Sequence, residues 1–162
     1  MLKKTTSREA RAMKVLVCMD SSIYADEILN EIAHRPWPGD TQFKLVTAVE
    51  ATGRWDYDQQ NLNQAAQILN QRVNLLKSRL KGHDLQGEVI EGGAHQKINE
   101  FATEWNADLV LIGSHGDTGI RKSSIGSVAA SVVNDAPCSV EVIKLRNKLE
   151  ENKSKAIAAT AT

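Results

Sequence analysis

The sequence predicts an α/β fold: a single-domain, three-layer sandwich with a five-stranded, mainly parallel sheet between helices. Three observations lead there. Short aliphatic and β-branched runs with little polar alternation occur five times, as expected of strands buried on both faces. Stretches with apolar residues three or four apart separate them, the mark of amphipathic helices. The resulting βαβαβαβαβ order selects a parallel sheet with right-handed crossovers and helices on both faces.

"KVLVCM" (Lys14 to Met19) is the first strand. "DSS" follows and offers N-caps for a helix carrying Ile23, Ile28, Leu29 and Ile32. "RPWPGD" stops that helix with two prolines and a glycine, and "FKLVTAV" (Phe43 to Val49) is the second strand. Leu62, Ala66, Leu69, Val73, Leu76 and Leu80 form one stripe of a long second helix, with Gly82 as its C′ residue. "LQGEVIEG" is the third strand, and Ile98, Phe101, Ala102 and Trp105 share the apolar face of the third helix. "ADLVLIG" is the fourth strand. Ile125, Val128, Ala129, Val132 and Val133 make the fourth helix, "NDAP" breaks it, and "CSVEVIKL" is the fifth strand.

With 162 residues the chain fits one domain that buries roughly 70% of its unfolded surface. Twenty basic residues balance twenty acidic ones, which argues against nucleic acid as a partner. No apolar run approaches the roughly 18 residues of a membrane span, and the basic N-terminus lacks the apolar core of a secretory signal. Residues 1–12 read as a disordered N-terminal arm, 13–146 as the folded domain and 147–162 as a flexible tail, in a cytoplasmic protein. The two cysteines, Cys18 and Cys138, make no disulfide framework. His34, His83, His95 and His115 lack the close spacing of a structural zinc site. Trp55 and Tyr57 read as a hydrophobic patch over the second helix or as cover for a base.

The informative stretch is "LVLIGSHGDTGIRKSSIGSV", Leu109 to Val128. It runs from the end of the fourth strand into the fourth helix, where parallel α/β sheets bind ligands. Its glycines let backbone approach a ligand and accept positive φ. The helix N-terminus adds unpaired amides and about half a positive charge, and Ser123, Ser124 and Ser127 add hydroxyl donors. These features point to an anion, a phosphate, held between Gly113 and Val128. Gly113, Gly116 and Gly126-Ser127 fit G-x2-G-x9-G-[ST], a pattern that arises by chance in about one chain of this length in a hundred.

On these residues the chain resembles the universal stress protein family, specifically its ATP-binding branch. "KVLVCMDSS", "ADLVLIGSHG", "GSVAASVVNDAPCSVEVI" and a shorter echo in "EGGAHQKI" carry the resemblance, which covers about Met13 to Arg146. It implies the adenine nucleotide alpha hydrolase-like fold, strand order 3-2-1-4-5, with ATP as the ligand and any Mg²⁺ riding on its phosphates. Carried over, Asp20 contacts the adenosine part, and Cys18 and Met19 give backbone contacts. Ala48 meets the adenine, and Ile112 and Gly113 lie beside the ribose. Ser114, His115, Gly116, Gly126, Ser127 and Val128 surround the phosphates. Asp117 stands where a basic residue is common, and Ala94 where a proline is often found. Asp20 also reads as a helix N-cap, and His115 as a residue that bonds its own loop. In that strand order Cys18 and Cys138 lie on strands too far apart for a disulfide.

The leading functional reading is a nucleotide-binding regulatory module with slow or no hydrolysis. There is no G-x4-G-K-[ST] lysine, no evident general base, and no G-x-G-x-x-G after the first strand. The alternative is a nucleotide-free dimeric interaction module of the same fold, with protein partners the residues do not name. The fifth strand lies at a sheet edge with Ser139, Glu141 and Lys144 as its polar residues. A homodimer pairing two such edges would satisfy their open backbone groups and bury Val140, Val142 and Ile143.

Overall fold

The computed structural model describes residues 11–116 and 125–144. Most of the expected N-terminal arm, the C-terminal tail, Asp117, Gly119, Ser123 and Ser124 lie outside the described residues. Along the described chain run β1 (Lys14–Cys18), α1 (Ile23–His34), β2 (Gln42–Val49), α2 (Trp55–Arg79), β3 (Asp84–Glu91), α3 (Ala94–Glu104), β4 (Leu109–Gly113), α4 (Ser127–Asp135) and β5 (Ser139–Ile143). The strands form one parallel sheet in the order β3-β2-β1-β4-β5. None of the helices described is long and apolar enough to cross a membrane.

The central strand explains the lack of alternation in "KVLVC". Val15, Leu16 and Val17 are all fully buried, because β1 has neighbours on both edges and helices over both faces. Val15 and Val17 enter the core that packs under α1 and α2, with Ile28, Phe43, Leu45, Leu69 and Leu76. Leu16 and Cys18 enter the opposite core under α3 and α4, with Val46, Ile98, Val110 and Val132. The two-residue period of a strand divides one apolar run between two layers.

Several elements differ in detail from their sequence patterns. In α1 Ile23 is exposed, and Tyr24 and Ala25 are buried instead. The register is set by the N-cap, Ser22, rather than by the first apolar residue. Asp20 is not that cap; its Oδ1 accepts hydrogen bonds from the Ser22 N–H at 2.9 Å and the Ser22 hydroxyl at 2.5 Å. The second helix begins at Trp55, well before its apolar stripe, because Asp58 accepts from the Thr52 and Gly53 amides and gathers the preceding turn. Trp55 and Tyr57 thus sit in its first turn and are exposed, not laid over it as a patch. Gly82 does adopt φ +91°, but Leu80 is the C-cap, so the glycine stands at C″. Val133 lies on the exposed side of α4, and Ile125 precedes the helix.

The short edge strand β5 is fastened across the sheet. Arg35 Nη1 and Nη2 donate to Glu141 Oε2 and Oε1, at 2.7 and 2.5 Å, joining the end of α1 to the middle of β5. This bidentate hydrogen bond, with the attendant charge attraction, holds the Glu141 carboxyl below its usual range. A depressed folded-state pKa contributes stability that is present above the unfolded value and lost as pH falls through the folded one. Glu141→Gln is therefore expected to remove part of the acid sensitivity of unfolding below about pH 4.5, and to cost under about 1 kcal/mol at pH 7 because the pair is partly solvated. Urea melts of both proteins at pH 7 and pH 3.5 check this; an unchanged difference between the two pH values would refute it.

Candidate functional site

At the carboxyl ends of β1, β2 and β4 a cavity of about 520 Å³ opens, within the usual size of a small-molecule site. The end of β1 supplies Cys18, Met19 and Asp20 to its wall. Val46 and Ala48 come from β2, Ile112 and Gly113 from β4, His115 and Gly116 from the segment after it. Gly126, Ser127 and Val128 close the far side at the start of α4. Apart from Val46, these are the residues expected from the glycine motif and the family resemblance, and one expected residue is missing from the wall. Ser114 is buried and is not part of the wall.

Ser114 instead knits the site together from beneath. Its N–H donates to the Ile143 carbonyl at 2.8 Å, and its own carbonyl accepts from the Gly126 N–H at 2.6 Å. Its hydroxyl lies 3.1 Å from His115 Nδ1. The end of β4, the end of β5 and the start of α4 thus meet at one residue. The bond also occupies the Gly126 amide, so the unpaired donors of the helix start are the first-turn amides of Ser127, Val128 and Ala129. The Ala130 N–H already returns to the Gly126 carbonyl at 2.9 Å.

The glycines are needed for close packing and not for unusual backbone. Gly126 has φ −72°, and none of the described site glycines has positive φ. A Cβ on Gly126 would stand 3.2 Å from the Ser114 oxygen and 3.3 Å from His115 Cα. On Gly113 it would lie 2.7 Å from Tyr24 Cβ, a separation that real carbons do not reach. On Gly116 it would approach Asp20 Oδ2 to 3.3 Å. Close approach of α1 to the end of β4, not of a ligand, is thus what excludes a side chain at Gly113.

Tyr24, Ile28, Ala94, Ile98 and Ala129 also line the cavity and are absent from the sequence-based site. Tyr24 is the polar one. Its hydroxyl is 3.4 Å from His115 Nδ1 and the two rings are tilted with centroids 5.8 Å apart. Nothing in the local sequence distinguishes it from any apolar helix residue. His115 therefore does contact its own loop, and it lines the cavity as well. The Cys18 thiol is pushed well above its usual range, first by burial and then by the nearby Asp20 charge, so it stays protonated and unreactive at neutral pH. The cysteines are both free. Among the described residues no group of three His, Cys, Asp or Glu side chains could hold a metal ion.

A second cavity of about 400 Å³ lies beside the first, between the end of β2 and the middle of α2. Asp20 and Ala48 belong to the walls of both. Arg72, from α2, donates through Nη1 to the Asp20 backbone carbonyl.

A model of the universal stress protein family matches residues 12–144. A universal stress protein of Methanocaldococcus jannaschii is 33% identical over 98 residues, which span 60% of this chain and 57% of that protein. The chain thus matches little more than half the length of that relative. Among solved structures, the universal stress protein from Archaeoglobus fulgidus in complex with dAMP is 24% identical with a TM-score of 0.59, covering 82% of this chain and 98% of that one. A universal stress protein family member from Arabidopsis thaliana with AMP bound is 18% identical with a TM-score of 0.62, covering 84% of this chain and 94% of that one. At these identities the two structures share the fold.

Proposed function

Since the chain belongs to the universal stress protein family, we propose that its main cavity binds an adenine nucleotide, ATP above all, and that the protein acts as a nucleotide-responsive stress module. One observation carries this reading. A single cavity joins an apolar slot between strand ends to the amide-bearing start of a helix. The slot, walled by Cys18, Val46, Ala48, Ile98 and Ile112, suits a flat base. The first-turn amides of α4 suit phosphates, through hydrogen bonds and the helix dipole together. Asp20 lines the same cavity and would contact the adenosine, with one oxygen already held by Ser22. Mg²⁺, where present, would bridge phosphate oxygens. Relatives bound to dAMP and AMP support an adenine nucleotide. Calorimetric titration with ATP, AMP and GTP tests the reading: ATP and AMP should bind, and GTP more weakly. Absence of heat with any adenine nucleotide would overturn it in favour of a nucleotide-free interaction module.

The protein is further proposed to dimerise through β5. Among the described residues this strand pairs only with β4. Ile143 directs its carbonyl to Ser114, so by strand alternation the N–H and C=O of Val140 and Val142 face the open edge. Those outward groups suit an antiparallel twin across a two-fold axis. The monomer already buries Ile143, which leaves Val140 and Val142 as the side chains that an added strand could cover further. Val142→Pro removes an outward N–H without touching the bonds to β4, and it should shift a dimer toward monomer. Light scattering at tens of micromolar decides the matter: a monomeric unmodified protein would refute this interface.

A further inference from the structure

We propose that the second cavity extends the nucleotide site and receives a second phosphate carried on the ribose, so that the preferred ligand class is an adenosine bisphosphate. The inference rests on the nucleotide reading above, with the adenosine beside Asp20.

The starting point is Arg72. Among the described residues lining either cavity, it alone is a lysine or arginine. Its side chain is half-buried, and its Nη1 reaches the Asp20 carbonyl. Among the described residues no carboxylate lies within ion-pair distance of it. A guanidinium carries five N–H donors in a planar fork that suits carboxylate or phosphate. Here one donor meets a neutral carbonyl, and the group borders an open cavity.

The other walls favour the same chemistry. Asn61, Gln64, Ile68 and Arg72 are spaced three and four residues apart, so α2 turns them to one side. Thr47 faces them from β2. Two carboxylates also border this cavity, and each is directed elsewhere in part. Asp20 Oδ1 is taken by the Ser22 amide and hydroxyl. Glu50 is exposed, and its Oε1 lies 3.4 Å from the Cβ position of Gly93, the N-cap of α3, where a helix dipole favours negative charge. The wall also offers a guanidinium, two carboxamides and the hydroxyl residues Ser21 and Thr47, a donor set suited to a phosphate.

The wall shared by the cavities then sets the ligand's shape. Asp20 belongs to both walls, while the start of α4 lines only the first cavity and Arg72 only the second. A nucleotide with its ribose at Asp20 directs the 5′-phosphate to α4 and offers its 2′ and 3′ hydroxyls to the second cavity. An arginine beside the ribose is the means by which dinucleotide-binding folds accept a ribose phosphate.

The test is calorimetry in phosphate-free buffer with AMP, adenosine 3′,5′-bisphosphate and adenosine 2′,5′-bisphosphate. One of the bisphosphates should bind about tenfold more tightly than AMP, the gain expected of a charge-assisted phosphate contact. Which one does so identifies the hydroxyl facing Arg72. In Arg72→Met the ratio should fall close to one, whatever happens to AMP binding itself, and Arg72→Lys should give an intermediate ratio. Should the methionine variant bind no nucleotide, the lysine variant decides: a ratio equal to that of the unmodified protein counts against the proposal. AMP binding with no preference for either bisphosphate, or a preference that survives Arg72→Met, would overturn it while leaving the nucleotide reading intact. Failure of AMP and ATP to bind at all would overturn the nucleotide reading and this proposal with it.

Discussion

Gly126→Val is expected to weaken ATP binding by about a hundredfold or more while adenosine binding changes far less. Gly126 is the N-cap of α4, and its amide is fixed to the Ser114 carbonyl. The first side-chain carbon of a valine would already press on the Ser114 oxygen at 3.2 Å and on His115 Cα at 3.3 Å. Both contacts are backbone, so neither can swing aside as a flexible side-chain end would. The helix start must shift, and its first-turn amides leave the positions proposed to receive phosphate. Each charge-assisted hydrogen bond lost costs about 1.5–3 kcal/mol, so misplacing two gives roughly a hundredfold. Valine is also a poor N-cap, which adds about 1 kcal/mol of lost stability without unfolding the domain. Parallel titrations with ATP and adenosine, and a thermal melt of the variant, check the prediction. Unchanged ATP affinity in a folded variant would sink the phosphate placement.

Phe43→Ala is expected to produce the largest loss of stability, about 3–5 kcal/mol. The ring is essentially inaccessible in the core under α1 and α2. It meets Trp37 edge-on with centroids 5.1 Å apart and His83 at 5.7 Å. Truncation leaves a cavity and removes both aromatic contacts, each worth about 0.5–1.5 kcal/mol beyond the area buried. For a chain of this size the melting temperature should drop by about 10 °C or more. Phe43→Leu, which keeps most of the volume, should cost far less. Urea denaturation of the three proteins measures the difference; a loss below about 1 kcal/mol for the alanine variant would show that this layer repacks.

Strand and helix types were legible because they depend on local period. "KVLVC" and "LVLIG" have the unbroken apolar character of strands covered on both faces, and both are central strands. The position of the main cavity was legible for a related reason. Gly113, Gly116 and Gly126 crowd one strand-to-helix connection, and a topology of parallel strands places that connection at the sheet's carboxyl edge whatever the details of packing.

Other features depend on residues distant in sequence and had no local signal. Tyr24 and Ile28 look like ordinary core positions of α1, and only the packing of that helix across β1 and β4 carries them into the cavity wall. Gly113 reads as a ligand-approach glycine, yet the atom that excludes a side chain there is Tyr24 Cβ, 89 positions earlier in the chain. The family resemblance implies Ser114 as a phosphate contact, and the structure turns it inward to join β5 to α4. Arg72 belongs to a polar stretch of α2, and its bond to Asp20 arises because the crossover folds α2 back over the end of β1. The sequence by itself determined the order of elements, the division of apolar residues between core and surface, and the edge of the sheet where the main cavity opens. Tertiary structure decided which atoms line that cavity, because periodicity specifies the face a residue occupies, while the partner across the gap is chosen by how separate elements pack against one another.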